Sequence, residues 1–240
     1  MNKKRLDILL FDKKLVESRK IASDLIKEGK VFVNKLKIFK PSKEVGEDDK
    51  IEITEIPKYV SRAGLKLDGA LKEFKISVSD KVALDVGSST GGFTDCLLQN
   101  GIKKVYAVDV GTDQLNYKIK ADSRVVSIEK TDIRNIRELQ EKVDLAVVDV
   151  SFISLEKVLP TVIKFIKDSA EIIALVKPQF EVGKENLGKG GIVKDSELQK
   201  AVVEKIKTFA QSLNLKIVEE MESPIKGGDG NTEYLLHLNK

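Results

Sequence analysis

Short apolar runs separated by stretches of helical length dominate the chain from residue 81 to residue 176. The runs are Val82–Val86, Val105–Val108, Val125–Ile128, Leu145–Val148 and Ile172–Val176. Each is short, with β-branched residues prominent, as in strands buried on both faces. With helices between them they predict a parallel sheet with crossover helices, an α/β fold. Lys216–Glu219 and Tyr234–Leu238 add an antiparallel hairpin, making a mostly parallel seven-stranded sheet. Ahead of it, Tyr59–Leu67 leads into a helix ending near Phe74-Lys75.

The N-terminal residues follow a different rhythm. Leu6, Leu9 and Leu10, followed by Lys13-Lys14, predict a short amphipathic helix. Ser18 is placed to N-cap a second helix running to about Glu28, with Ile21, Ala22, Leu25 and Ile26 on one face. Gly29 ends it. Val31–Val33 reads as a strand, Asn34-Lys35 as a turn and Lys50–Ile53 as a closing strand. The expected organisation is a small α+β module over residues 1–57, a linker over 58–65 and a large α/β domain over 66–240.

Composition and charge sharpen this division. Hydrophobic residues make up 41% of the 240, enough to bury a core. The single cysteine, Cys96, excludes an internal disulfide framework and a clustered-cysteine zinc site, and fits a cytoplasmic setting. Charges interrupt every apolar run of the N-terminal twenty residues, unlike a signal peptide. No apolar run approaches the roughly 18 residues that span a bilayer. The net charge of +4 is unevenly spread: residues 1–43 hold 13 Lys/Arg against 5 Asp/Glu, and the remainder holds 29 against 33. A basic leading segment on a slightly acidic body suggests a module that binds a polyanion.

The candidate chemistry lies at strand ends. Asp85-Val86-Gly87 closes the first strand of the large domain, and Gly91-Gly92-Phe93-Thr94 opens the next helix. Asp109 ends the second strand, 22 positions after Gly87, where a carboxylate can accept both hydroxyls of a ribose. The pattern fits an adenosine ligand, or else a tight turn with Asp109 capping a helix. The GxxxxGK[ST] phosphate cradle is absent, which argues against ATP. Lys66, Asp149, Lys177 and Glu233 lie in separate segments, each near a helix start or strand end on the same expected side of the sheet. His237 falls in the apolar last strand and reads as structural. Phe93 and Phe180 are open to either base stacking or core packing.

Three resemblances give these residues roles. "RLDILL", "SRKIASDLIKEGKVFVN" and "KPSKEV…DDKIEI" resemble the small RNA-binding domain named after ribosomal protein S-four. That resemblance implies RNA contacts at Arg5, Ser18, Arg19, Lys20, Lys27 and Lys30, where cations neutralise phosphates and a helix pair reads RNA shape. "DVGSSTGGFTDCLL" resembles the S-adenosylmethionine loop of the Rossmann-like class I methyltransferases. It implies cofactor contacts at Asp85, Gly87, Ser88, Ser89, Thr90, Gly91, Gly92 and Phe93, with bulk excluded where the methionine end lies on the backbone. It also implies Asp109 at the ribose, Asp132 beside the adenine and Asp149 at the catalytic edge. Lys66, Asp149, Lys177 and Glu233 resemble the tetrad of FtsJ-type ribose 2′-O-methyltransferases. Taken in order, "VSRAGLKL", "VVDVSFISL", "LVKPQFE" and "GNTEY" resemble the TlyA family, often labelled hemolysin A, across essentially the whole chain. Arg62 in the first of these segments joins the expected RNA contacts.

The family resemblance implies methylation of ribosomal RNA, with a cytidine target. A ribose hydroxyl is a poor nucleophile, so the site must align it with the sulfonium methyl and remove its proton. A desolvated lysine beside a second cation can act as base. The resemblance gives that role to Lys177, with Lys66 assisting, Asp149 orienting Lys177, and Glu233 orienting Lys66 or holding the ribose. No metal-ligand cluster is apparent. The glycine-rich segments Lys177–Asp195 and Ser223–Glu233 read as mobile walls around a flipped nucleotide, or as plain solvated loops. A non-catalytic RNA-binding factor and a membrane-active hemolysin are the competing readings. The intact tetrad opposes the first, and the lack of a convincing membrane segment opposes the second. Base methylation is a further alternative, opposed by "DVSF" where amino-methylating enzymes carry an Asn/Asp-Pro-Pro-aromatic motif.

Overall fold

The computed structural model describes residues 3–16, 18–55 and 57–240. The chain forms two compact units, residues 1–61 and 62–240.

The first unit contains β1 (Lys3–Arg5), α1 (Leu6–Asp12), α2 (Arg19–Lys27), β2 (Val31–Val33), β3 (Leu36–Ile38), β4 (Glu44–Gly46) and β5 (Ile51–Ile53). Leu6, Leu10, Leu25, Ile26 and Val31 meet in its core. Ser18 caps α2, its side-chain oxygen accepting the Ile21 N–H at 3.2 Å. Gly29 stops the helix at φ +69°, and a Cβ there would lie 2.6 Å from the Phe39 ring. Asn34 and Lys35, both left-handed at φ +48° and +68°, turn β2 into β3. A three-stranded antiparallel sheet of order β3-β2-β5 results, beside a two-stranded pair of β1 and β4. The strands β1, β3 and β4 go beyond the sequence expectation. Each has three residues, too few to show a period.

In the second unit, α3 (Ala63–Glu73) begins inside the stretch read as linker. It is followed by β6 (Val82–Val86), α4 (Gly92–Gln99), β7 (Lys104–Val108), α5 (Tyr117–Lys120), β8 (Val125–Ile128), β9 (Val143–Val148) and α6 (Leu155–Phe165). Then come β10 (Ile166–Val176), α7 (Pro178–Glu181), α8 (Ser196–Ser212), β11 (Lys216–Glu222) and β12 (Tyr234–Asn239). The seven strands lie in the order β11-β12-β10-β9-β6-β7-β8. Pairings from β8 through β10 are parallel, and β12 is antiparallel to both β10 and β11. This is the mostly parallel seven-stranded sheet expected from the pattern, in the Rossmann-like form that the motif resemblance implies. Leu84, Val148, Leu159, Ile172 and Leu236 are among its fully buried side chains, each contributing about 1.5–3 kcal/mol by leaving water.

The chain leaves β6 toward β7 on one side and returns as β9 on the other. The edge between β6 and β9 is therefore the point where strand order reverses, the usual place for a ligand crevice in an open α/β sheet.

Candidate active site

The glycine loop answers to its own chain first. Gly87 sits at φ +86°, and a Cβ there would overlap the carbonyl oxygen of Asp149. Gly91 sits at φ +93°, and its Cβ would lie 2.9 Å from Leu115 Cδ1. Left-handed backbone and close packing against neighbouring segments require glycine at both positions, in addition to any space a ligand on this loop would need.

Two carboxylates flank this loop, and a third, Asp132, follows β8. Asp85 is fully buried, and its Oδ2 accepts the Thr94 hydroxyl at 2.6 Å. Its other oxygen has no partner among the described residues. Burial pushes its carboxyl up to about 7, and the charges of Asp149 and Asp109 add to the effect. Asp109 accepts the Ser89 N–H at 2.8 Å and the Gly111 N–H at 2.7 Å, one on each oxygen. This leaves each oxygen with a further lone pair. Ser88 is buried, and the Thr90 carbonyl accepts the Asn116 N–H at 3.2 Å. Asp132 caps the turn Ile133–Asn135, and the Arg134 guanidinium at 2.6 Å holds its carboxyl below the usual range. Gly92 opens α4. Phe93 beside it is 2% exposed, so of its two sequence readings the structure favours packing.

Beyond the reversal point the carboxylates meet lysines. Asp149 follows β9 and Lys177 follows β10; Lys177 Nζ stands 2.6 Å from Asp149 Oδ1. That contact is charge against charge, outside hydrogen-bond angles. Lys177 also donates to Ser151 Oγ at 2.9 Å. Val176 pairs with Tyr234, which brings Glu233 to the same end of the sheet as Lys177. Glu233, 2% exposed, takes the ammonium of Lys66 from α3 at 2.5 Å. Gln179 Nε2 reaches its other oxygen at 3.5 Å. The four residues singled out in the sequence thus form two ion pairs at one sheet edge, Lys66–Glu233 buried and Lys177–Asp149 partly buried.

Sequence reasoning passed over Phe152 and Asn231. Phe152 is 90% exposed at φ +63°, a conformation rare for an aromatic residue, and its ring centre is 4.8 Å from that of Phe180. Lys177 Nζ is 5.9 Å from the Phe180 ring centre. Asn231, 1% exposed, accepts the Val193 N–H at 3.0 Å and donates to the Gly191 carbonyl at 3.1 Å, so it joins the two glycine-rich segments. His237 is buried, 3.1 Å from Glu171 and stacked on Phe74.

Of the expected RNA contacts, Arg5 grips Asp7 through two 3.0 Å bonds, and Arg19 reaches the same carboxylate at 3.5 Å. Lys30 pairs with Glu28 and Glu55. Ser18 is committed to its cap, while Lys20 and Lys27 are exposed on α2. Arg62 is exposed at the start of α3, in the second unit. Among the described residues, no helix is long and apolar enough to cross a membrane. No His/Cys/Asp/Glu group among them is suited to hold a metal ion.

The model of the FtsJ-like methyltransferase family matches residues 59–240, and that of the S4 domain matches residues 4–51. The 16S/23S rRNA (cytidine-2′-O)-methyltransferase TlyA of Mycobacterium tuberculosis is 41% identical over 98% of this chain and 89% of its own. A Brachyspira hyodysenteriae protein named hemolysin A is 44% identical over 98% of this chain and 99% of its own. A solved structure from Streptococcus thermophilus, 42% identical, superposes with a TM-score of 0.79 and covers 100% of this chain and 89% of that one.

Proposed function

The chain belongs to the FtsJ-like methyltransferase family, and from that premise we propose that it transfers a methyl group from S-adenosylmethionine to a ribose 2′-hydroxyl of ribosomal RNA. The observation that carries this reading is the pair of lysine–carboxylate contacts, one buried and one partly buried, at the end of β9, β10 and β12. The target base we propose is cytidine, the one named for the Mycobacterium relative. A ribosomal substrate implies work in the cytoplasm.

The residues around the glycine loop fit the cofactor. Asp109 and Asp149 bring negative charge, and the buried carboxyl of Asp85 keeps one oxygen unpaired among the described residues. That donor set suits the ammonium and sulfonium of the cofactor and repels a polyphosphate. Asp109 would accept the ribose hydroxyls, Asp132 would lie beside the adenine, and backbone from Gly87 to Gly92 would hold the methionine end. Bound S-adenosylmethionine supplies an electrophilic methyl on a sulfonium.

The lysine half manages the proton. Once its ammonium proton has passed to solvent, the Lys177 Nζ amine takes the proton of the 2′-hydroxyl, and Asp149 and Ser151 hold the ammonium so formed. Lys66, fixed by Glu233, sets a second positive charge toward the oxygen as it loses the proton. Phe152 and Phe180 offer aromatic faces on which an extruded base can stack. The cations of the first unit supply RNA affinity, strongest at low salt.

The test is to incubate the protein with methyl-labelled S-adenosylmethionine and unmodified ribosomal RNA, then digest the RNA to nucleosides. Label in 2′-O-methylcytidine is expected. Label in a base-methylated nucleoside, or none in RNA, would overturn the proposal.

A further inference from the structure

Two short segments carry the groups assigned to proton removal. The loop 149–154 after β9 holds Asp149, Ser151 and Phe152, and the turn 177–181 after β10 holds Lys177 and Phe180. Neither can fix its own shape: the first has no regular structure, and α7 has four residues. Contacts between them hold the pair in register. Lys177 meets Asp149 and Ser151, Phe180 meets Phe152, and Glu181 Oε1 accepts the Leu155 N–H at 2.8 Å.

These contacts differ in kind. The first three use side chains that the proposed reaction engages. The Glu181 bond uses none of them, so it can persist throughout turnover. Its partner is also firm. Leu155 is the first residue of α6, an eleven-residue helix whose Leu155, Val158, Leu159 and Val162 are buried in the sheet core. Ser154 caps that helix by accepting the Glu156 N–H, which leaves the Leu155 N–H for Glu181. A carboxylate at a helix N-terminus also gains from the helix dipole. The other oxygen of Glu181 is buried, and burial raises its carboxyl above the usual range. A buried carboxyl of this kind is costly unless it holds something in place.

We propose that Glu181 is a positioning residue for methyl transfer: its bond to the Leu155 N–H ties the Lys177 turn to the start of α6 and so keeps Lys177 in reach of Asp149 and of the substrate hydroxyl. The inference rests on Lys177 as the base. Misplacement of a reacting group by about 1 Å can cost on the order of 100-fold in rate. Losing the tie should therefore slow the chemistry without weakening cofactor binding.

The experiment measures single-turnover methylation of ribosomal RNA by the full chain, with cofactor affinity and melting temperature, for Glu181→Ala, Glu181→Gln, Glu156→Ala and Lys177→Met. Glu181→Ala should lower the rate by ~10–100-fold, with cofactor affinity, RNA KM and melting temperature close to wild type. Glu181→Gln should recover most of the rate, because its amide oxygen still accepts from Leu155. Glu156→Ala removes an acidic group one residue further into α6, where it pairs with Lys205, and should leave the rate unchanged. A wild-type rate in Glu181→Ala would overturn the inference. So would a Glu181→Gln variant as slow as Glu181→Ala, or a rate loss that only tracks lost stability or cofactor affinity. Full activity in Lys177→Met would instead overturn the base assignment, whatever Glu181 does.

Discussion

At the ends of β6 and β7, the carboxylates of Asp85 and Asp109 are held by a threonine hydroxyl and by backbone N–H groups. Across the reversal point, at the ends of β9, β10 and β12, the carboxylates of Asp149 and Glu233 are held by lysines. One sheet edge thus carries two electrostatic environments. The first holds the Asp109 charge on backbone N–H groups with no lysine or arginine bonded to it among the described residues, beside the buried carboxyl of Asp85. The second keeps cations beside a surface that an anionic backbone must approach. Binding a sulfonium cofactor and deprotonating a ribose call for opposite fields, and strand order places both at one end of the sheet. Gly87 is where the halves touch, since only hydrogen fits between it and the Asp149 carbonyl.

Substitutions should separate the halves. Lys177→Arg should lower single-turnover methyl transfer by roughly 1,000-fold, because a guanidinium does not accept the ribose proton. Residual activity near wild type would mean that only charge is needed at this position. Glu233→Ala leaves Lys66 buried without its carboxylate and should destabilise the fold by roughly 3 kcal/mol, read by denaturant melts. A change under about 1 kcal/mol would place that pair in the weak surface class.

On the acidic half the signature is pH. The Asp85 carboxyl, pushed up to about 7, keeps its proton in the folded chain over a range where the unfolded chain has lost it. The folded state then binds more protons, so stability falls as pH rises from about 4 to about 7. Asp85→Asn does not titrate. The wild type should therefore lose up to roughly 3 kcal/mol relative to Asp85→Asn across that window and run parallel above it. A gap that stays constant with pH would contradict the burial account. Gly87→Ala forces a strained φ and a clash with the Asp149 backbone just after β9, and should cost about 1–3 kcal/mol. It should weaken cofactor binding and methyl transfer together, unlike any change confined to one half. The smallest effect lies off the edge. Lys27→Ala should reduce the slope of log affinity against log salt by about 0.7–0.9, with the rate at saturating RNA unchanged.

Much of this was legible from the chain. Runs of β-branched residues marked β6 through β10 because strands buried on both faces must be apolar throughout. Ser18 and Gly29 marked the ends of α2 because a cap oxygen and a left-handed stop are local requirements. The two lysines and their carboxylates were found through family motifs; which carboxylate holds which lysine depends on strand order and the β10–β12 register. The reason for Gly87 was not legible, since its clash partner is 62 residues away and meets it only across the sheet. Phe152 reads as one more apolar residue in "DVSF", and only the loop conformation turns it outward. Glu181 reads as a surface acid, and only the folded chain brings it to Leu155.

The most direct test crosses the two halves. Cofactor affinity by calorimetry and single-turnover methylation of ribosomal RNA at saturating cofactor would be measured side by side for Lys177→Met and Asp109→Ala. Lys177→Met should bind S-adenosylmethionine as the wild type does and lose methyl transfer. Asp109→Ala should bind the cofactor at least ~10-fold more weakly and keep its rate once saturated. If both variants lose affinity and rate in proportion, the edge is a single undivided site and the account is contradicted.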